Sequence, residues 1–293
     1  FHGYGKYYHL ANDKYKGYFY EGEWQNGKRH GLGRVVFPSG NKYIGEQKNN
    51  KIDGEGTFFY LADGKFKGDK YTGEYKNGKR HGKGTYFHNN GNKYEGEYKN
   101  GSLNGYGTYY YLANDKFKGF VHSGQYLNGK RHGYGTFKYP NGSKYEGQFK
   151  NDLKEGQGTM TWSNGNKHIG SYINGKRNGY GSFIFKSGKK YIGHFKNDKY
   201  SGEGTLYKVN GQILEGVWKE NVFQYSKKLK KPKSKIASIL TKKESNKSLP
   251  KCSNQNYKHL CVGIHKFSNG AKYNGEFKNN KFDGIGTLVW KDG

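Results

Sequence analysis

Few residues in this 293-residue chain have the types and spacing to do chemistry. Cys252, His259, Cys261 and His265 form one cluster of thiols and imidazoles, but their spacing matches no common zinc pattern. His30, His81 and His132 each follow a Lys-Arg pair at intervals of 51 residues. On stacked strands spaced by roughly 4.7 Å they would stand about 18 Å or more apart, too far to share a metal. The pairs Asn12-Asp13 and Asn114-Asp115 offer one amide and one carboxylate per loop, well short of the six to eight oxygens calcium takes. Gly-x-Gly elements are frequent but lie inside extended runs at every period, so packing explains them better than phosphate binding. There is no P-loop, HExxH, CxxC, kinase catalytic loop or nucleophile elbow. The expectation is no enzyme, no metal and no cofactor.

Charge is the stronger signal. The formal net charge is +29, and cations recur in register: Lys28 and Arg29, Lys79 and Arg80, Lys130 and Arg131, Lys176 and Arg177. Residues 225 to 251 add ten lysines against a single acid, Glu244, and include Lys227, Lys228, Lys230, Lys231, Lys233 and Lys235. Like-charge blocks of this kind are usually unfolded, so a disordered arm is expected there. These cations form a candidate surface for anionic partners: acidic lipid headgroups, acidic protein tails or nucleic acid. Nucleic acid ranks last, because no recognised nucleic-acid module is present and the aromatics already have a packing role. Ser234, Ser238, Thr241, Ser245 and Ser248 lie among the lysines, where phosphorylation would cancel the attraction.

The elements that must position these cations follow from composition and period. A mean hydropathy of −1.14 suggests disorder, but aromatics make up 17% of residues and 48 residues are glycine, a mixture that buries flat rings against bare backbone. YEGEWQNGKRHGLGRVVFPSGNK (20–42), YTGEYKNGKRHGKGTYFHNNGNK (71–93) and HSGQYLNGKRHGYGTFKYPNGSK (122–144) match position by position, a period of 23 residues. Copies starting at Tyr43 and Tyr94 run to 28 residues, because YLADGKFKGD and YLANDKFKGF carry five extra. Within a unit, Tyr20, Gly22 and Trp24 alternate with Glu21 and Glu23, and Gly31, Gly33, Val35 and Phe37 alternate with Leu32, Arg34 and Val36. Period two predicts strands, and Asn-Gly between them predicts a tight hairpin. Glycine on the apolar face leaves room for a ring from a neighbouring strand. Tyr20, Trp24, Phe137, Tyr139, Trp162, Phe183, Phe185 and Trp290 are therefore candidate packing or groove aromatics.

The pattern Y-x-G-x-[WYF]-x-N-G-x-x-x-G-x-G, carried for example by residues 20–33 and 71–84, resembles the MORN repeat (membrane occupation and recognition nexus). The resemblance implies an all-β fold, an elongated single-layer antiparallel sheet of stacked hairpins with an aromatic groove. Three segments are expected. An array over 1–222 has long and short units alternating to about 144, a lysine-rich insertion over 223–258 splits one repeat, and the array continues over 259–293. The family's roles imply a non-catalytic scaffold that tethers partner proteins in the groove at a membrane-cytoskeleton or ciliary structure. The alternatives are an accessory region of a phosphoinositide kinase or SET-type lysine methyltransferase, and a direct anionic phospholipid-binding module. No apolar run is long enough to span a membrane, so a cytoplasmic, peripheral location is expected.

Overall fold

The structure, a computed structural model, describes residues 1–229, 261–266, 272–278 and 281–289. The chain divides into two units, Phe1–Leu240 and Thr241–Gly293.

In the first unit the period-two runs form β1 (Gly3–Tyr8), β2 (Phe19–Gln25), β3 (Lys28–Val36), β4 (Lys42–Lys48), β5 (Lys51–Phe59), β6 (Lys70–Lys76), β7 (Lys79–Phe87), β8 (Lys93–Lys99), β9 (Ser102–Tyr110) and β10 (Val121–Leu127). They continue as β11 (Lys130–Lys138), β12 (Lys144–Lys150), β13 (Leu153–Thr161), β14 (Lys167–Ile173), β15 (Lys176–Ile184), β16 (Lys190–Lys196), β17 (Lys199–Tyr207), β18 (Ile213–Lys219) and β19 (Val222–Ser226). Each pairs antiparallel with its neighbour in the chain, giving one open sheet of 19 strands. The second unit contains β20 (Cys261–Lys266), β21 (Lys272–Lys278) and β22 (Lys281–Val289), paired in the same way.

In the first unit every hairpin tip between two strands of one repeat is a two-residue turn with both residues left-handed, as in Asn26 (φ 52°) and Gly27 (φ 72°). This mirror-image turn matches the twist of the flanking strands and selects Asn and Gly. Several tips use Asn or Asp as the second residue instead, for example Asn50 (φ 69°) and Asp152 (φ 71°), which tolerate that region better than other side chains.

The paired glycines do two different jobs. The pairing Gly22↔Gly33 gives way to Trp24↔Arg29, so three residues of β3 face one of β2. The resulting bulge sits at Gly31 (φ 59°), and a Cβ there would strike the carboxylate of Glu23, on the face opposite the rings. Glu23 accepts a hydrogen bond from the amide of Leu32 at 3.0 Å. Glu74 does the same for Lys83, Gln125 for Tyr134 and Gln148 for Gln157, each at 2.8 Å. The simple alternation expected across this run is therefore broken at the first glycine. The second glycine serves the rings as expected: a Cβ on Gly33 would lie within 3 Å of the Tyr20 ring, and one on Gly84 within 3 Å of the Tyr71 ring.

Neighbouring tips are also tied together. The amide of Asn50 donates to the Arg29 carbonyl (3.1 Å), that of Gly78 to Ile52 (2.7 Å), and that of Gly101 to Arg80 (2.9 Å). Each unit thereby closes backbone bonds left open by the one before, as a repeat array requires.

Candidate functional site

One face of the first unit carries most of its rings, in two tracks, while others such as Tyr8 and Phe19 (4.7 Å), Phe59, Phe87, Tyr110 and Tyr180 stand on the opposite face. The inner track begins with a tyrosine laid over the Gly-Gly cross-strand pair. Tyr20, Tyr43, Tyr71, Tyr94, Tyr145 and Tyr191 are almost fully buried. The Tyr20 hydroxyl donates to the Glu23 carbonyl (2.7 Å), and that of Tyr145 to the Gln148 carbonyl (3.0 Å). Four residues on stands a second ring, and the two sets alternate edge to face. Tyr43, Tyr75, Tyr71, Tyr98, Tyr94, Tyr126, His122, Phe149, Tyr145, Tyr172, His168, Phe195, Tyr191 and Trp218 follow one another at centroid distances of 4.8 to 5.5 Å. Edge-to-face pairs add about 0.5–1.5 kcal/mol each beyond burial, so this ladder couples one hairpin to the next.

Three of its positions went unnoticed in the sequence. His122 and His168 replace the covering tyrosine and are fully buried. Burial, and then the nearby Arg131 guanidinium, push the His122 pKa down to about 3; burial and then Arg177 do the same for His168. Both imidazoles are therefore neutral at physiological pH. Gln47 stands where other units place a ring; it is 3% exposed, and neither atom of its amide has a partner. The signal was available as a departure from the repeat: His for Tyr at its first position, Gln for an aromatic at its fifth.

The outer track is half-open: Phe37, Tyr60, His88, Tyr111, Tyr139, Trp162 and Phe185 are half-buried, while Tyr86, Phe137, Met160 and Phe183 are closed over. It runs through Phe37 and Phe58 (5.6 Å), Tyr60, Tyr86, His88, Tyr109 and Tyr111 to Phe137 and Tyr139 (5.1 Å). Met160 bridges to Trp162, Phe183 and Phe185. Of the candidate aromatics, Tyr20 is closed over, Phe137 and Phe183 are nearly so, and Trp24, Tyr139, Trp162 and Phe185 keep part of their surface open. Trp290 lies outside the described residues.

The Lys-Arg pairs divide their labour. Lys28, Lys79, Lys130 and Lys176 are exposed at the tips. The arginines instead fold onto the ring face. Arg80 lies over Tyr86 (4.9 Å), Tyr98 (5.3 Å) and Tyr71 (5.7 Å), and Arg177 over Phe183 (5.0 Å) and Trp162 (5.9 Å). Each also reaches the next tip. Arg177 pairs with Asp198 (3.0 Å) and donates to its carbonyl (2.8 Å), Arg131 does the same with Asp152, Arg80 donates to the Gly101 carbonyl (2.8 Å), and Arg29 donates to that of Asn50. Lys154 occupies the equivalent place over Tyr145 (4.9 Å). The planar guanidinium suits this double duty of stacking and forked donation. Lys227 pairs with Glu203 (2.7 Å) and Lys228 is exposed, while Lys230, Lys231, Lys233 and Lys235 lie outside the described residues.

His30, His81 and His132 are half-buried, one per tip region, each with a buried Nδ1 that has no hydrogen-bond partner. Among the described residues no group of His, Cys, Asp or Glu is placed to hold a metal. Cys261 and His265 sit on β20, opposite Phe277 and Tyr273, and Cys252 and His259 lie outside the described residues.

A family model described as "MORN repeat" matches nine stretches: 20–42, 43–60, 71–93, 94–112, 122–144, 145–167, 168–190, 191–213 and 273–293. The chain belongs to the MORN repeat family. This MORN array bears a loose likeness to some solved structures. One is the TCP domain of SAS-4 from Drosophila melanogaster in complex with a proline-rich motif of Ana2, at 13% identity and a TM-score of 0.32, over 64% of this chain and 84% of that one. Another is a catalytically inactive virginiamycin B lyase from Staphylococcus aureus with quinupristin, at 11% identity and a TM-score of 0.15, over 90% and 86%. No helix among the described residues is long and apolar enough to cross a membrane.

Proposed function

We propose that this MORN array is a non-catalytic scaffold that holds a protein partner along its ring face, at a membrane-cytoskeleton or ciliary structure reached from the cytoplasm. One observation carries the reading: along the outer track the half-buried rings Phe37, Tyr60, His88, Tyr111, Tyr139, Trp162 and Phe185 recur once per unit beside a ladder that needs no partner to be closed. Long half-open apolar surfaces of this kind mark interaction sites. The inner ladder keeps the strands rigid, so docking would need little ordering of the array. The test is recovery of bound protein by the full chain and by Trp162→Ser with Phe185→Ser. Loss of the bound protein while circular dichroism shows the array still folded supports the reading, and undiminished recovery sinks it.

A second reading has its own observation. The exposed tip lysines Lys28, Lys79, Lys130 and Lys176 and the exposed Lys228 favour direct attraction to an anionic phospholipid surface. Sedimentation with vesicles containing phosphatidylserine, at low and moderate salt, tests it, and binding indifferent to both charge and salt would exclude it. That the array forms the accessory part of a kinase or methyltransferase rests on the family resemblance alone.

A further inference from the structure

The five-residue extensions of the long units lengthen the connections that lead from one unit to the next. They form three loops, 9–18 between β1 and β2, 60–69 between β5 and β6, and 111–120 between β9 and β10. All three leave the sheet at the margin opposite the hairpin tips, with four strands from one to the next, about 19 Å at roughly 4.7 Å per strand.

Each loop is built. Its neck closes with paired backbone bonds: Tyr60 N to the Asp69 carbonyl (3.0 Å) and Gly68 N to the Tyr60 carbonyl (2.7 Å), repeated by Tyr111, Phe120 and Gly119 at 3.0 and 2.7 Å. Asn41 in the preceding turn accepts the amides of Leu61 (2.8 Å) and Ala62 (2.9 Å), and Asn92 accepts those of Leu112 (2.7 Å) and Ala113 (2.8 Å). The following turn supports the far side, with Asn89 donating to the Lys67 carbonyl (2.9 Å). Within the loops, Asp13 caps the amide of Tyr15 and Asp115 that of Phe117, both at 2.8 Å.

These ordered loops hold apolar side chains out into solvent. Leu10, Leu61 and Leu112, with Tyr15, Phe66 and Phe117, are between 45% and 85% exposed. The aromatic is always bracketed by lysines: Lys14 and Lys16, Lys65 and Lys67, Lys116 and Lys118. The preceding lysine lies over the ring, at 5.0, 5.6 and 5.0 Å in the three loops. A core segment would bury the leucine, and a solubilising loop would not spend its backbone bonds on presenting it.

We propose that these loops are interfacial anchors for an anionic lipid bilayer, each placing a leucine and an aromatic among the headgroups while the flanking lysines meet lipid phosphates. This deepens the phospholipid reading above and rests on it. The spacing favours a bilayer over a protein: a protein interface needs one contiguous apolar core, whereas exposed leucines and aromatics borne on loops about 19 Å apart make separate insertions, with Phe66 and Phe117 meeting the ring face only at their bases, Tyr60 (6.0 Å) and Tyr111 (6.1 Å). Lysine stems lying on the rings suit a group that is apolar below and hydrated above. Several weak insertions on one rigid body add by effective concentration.

The test uses the full chain and vesicles of phosphatidylcholine alone or with about a third phosphatidylserine, at moderate salt. Replacing Leu10, Leu61, Leu112, Tyr15, Phe66 and Phe117 with serine should lower partitioning to the anionic vesicles by about tenfold or more, and restoring one loop should recover part of the loss. Because all six side chains are at least 45% exposed, the melting temperature should fall only slightly, by the lost ring contacts of Tyr15, Phe66 and Phe117. Separately, Phe117→Trp should shift its emission to the blue on anionic vesicles and be quenched by brominated acyl chains. If the unaltered chain does not partition, the phospholipid reading and the anchors both fall. If it partitions and the six-site variant partitions equally, with no quenching, lipid binding stands and the anchors alone are overturned.

Discussion

Acidification should weaken this array through two buried imidazoles. His122 and His168 have no exposed surface, and burial holds each near pKa 3 in the folded state against 6.5 for a free side chain. The charged groups near them are Arg131 beside His122, and Arg177 with Asp198 beside His168; the guanidiniums oppose protonation further. The unfolded chain takes up the protons first, so stability is intact above about pH 6.5 and declines as pH falls toward 3. At pH 5 the gap from the unfolded pKa is about 1.5 units, or about 2 kcal/mol per histidine and about 4 kcal/mol for the pair. The natural control is His122→Tyr with His168→Tyr, because tyrosine fills that position in the other units and the exchange leaves every exposed carboxylate in place. Urea unfolding at pH 7.5 and pH 5 should show the unaltered chain losing several kcal/mol more than the double variant. In a repeat array the loss falls first on the strands around β10 to β15, so the transition should broaden at pH 5. Equal losses in both proteins would refute the burial argument.

Further expectations follow from the same ladder. Gln47→Tyr should raise the unfolding free energy by about 1–3 kcal/mol, since it removes a buried amide without partners and restores an edge-to-face contact; a lower unfolding free energy would mean the site cannot hold a ring. Gly84→Ala should cost several kcal/mol, because the new methyl meets the buried Tyr71 ring, whereas Gly78→Ala, left-handed but facing open space, should cost only about 1 kcal/mol. Equal costs, read by thermal unfolding, would contradict the assignment of separate roles to these glycines. Arg177→Lys should lose about 1–3 kcal/mol, because lysine keeps the charge but not the fork that joins Asp198 while stacking on Phe183 and Trp162, and a neutral result would reduce that arginine to a solvated cation.

The fold was legible because each unit states it three times over: alternation for the strands, Asn-Gly for the tip, and glycine facing the ring. The bulge at Gly31 was not, since a sequence read at period two cannot show that three residues of β3 face one of β2. The cation pairs show the limit for the site. Lys28 and Arg29 are equal charges in a sequence, and only packing separates the lysine left in solvent from the arginine drawn over Tyr20 by the geometry of the next tip. His122, His168 and Gln47 were readable only by asking which copies depart from their own consensus. Departures matter more in such an array, because every copy is held to the same packing problem.

The most direct measurement on the central claim is a footprint of the captured partner on the array. Hydrogen exchange cannot separate the two faces of a single-layer sheet, so the probe is a photocrosslinking phenylalanine placed singly in the full chain. At Tyr139, Trp162 or Phe185, on the ring face, it should capture the partner, and at Ile44 or Leu32, on the opposite face, it should not. Capture from the opposite face with none from the ring face would contradict the account.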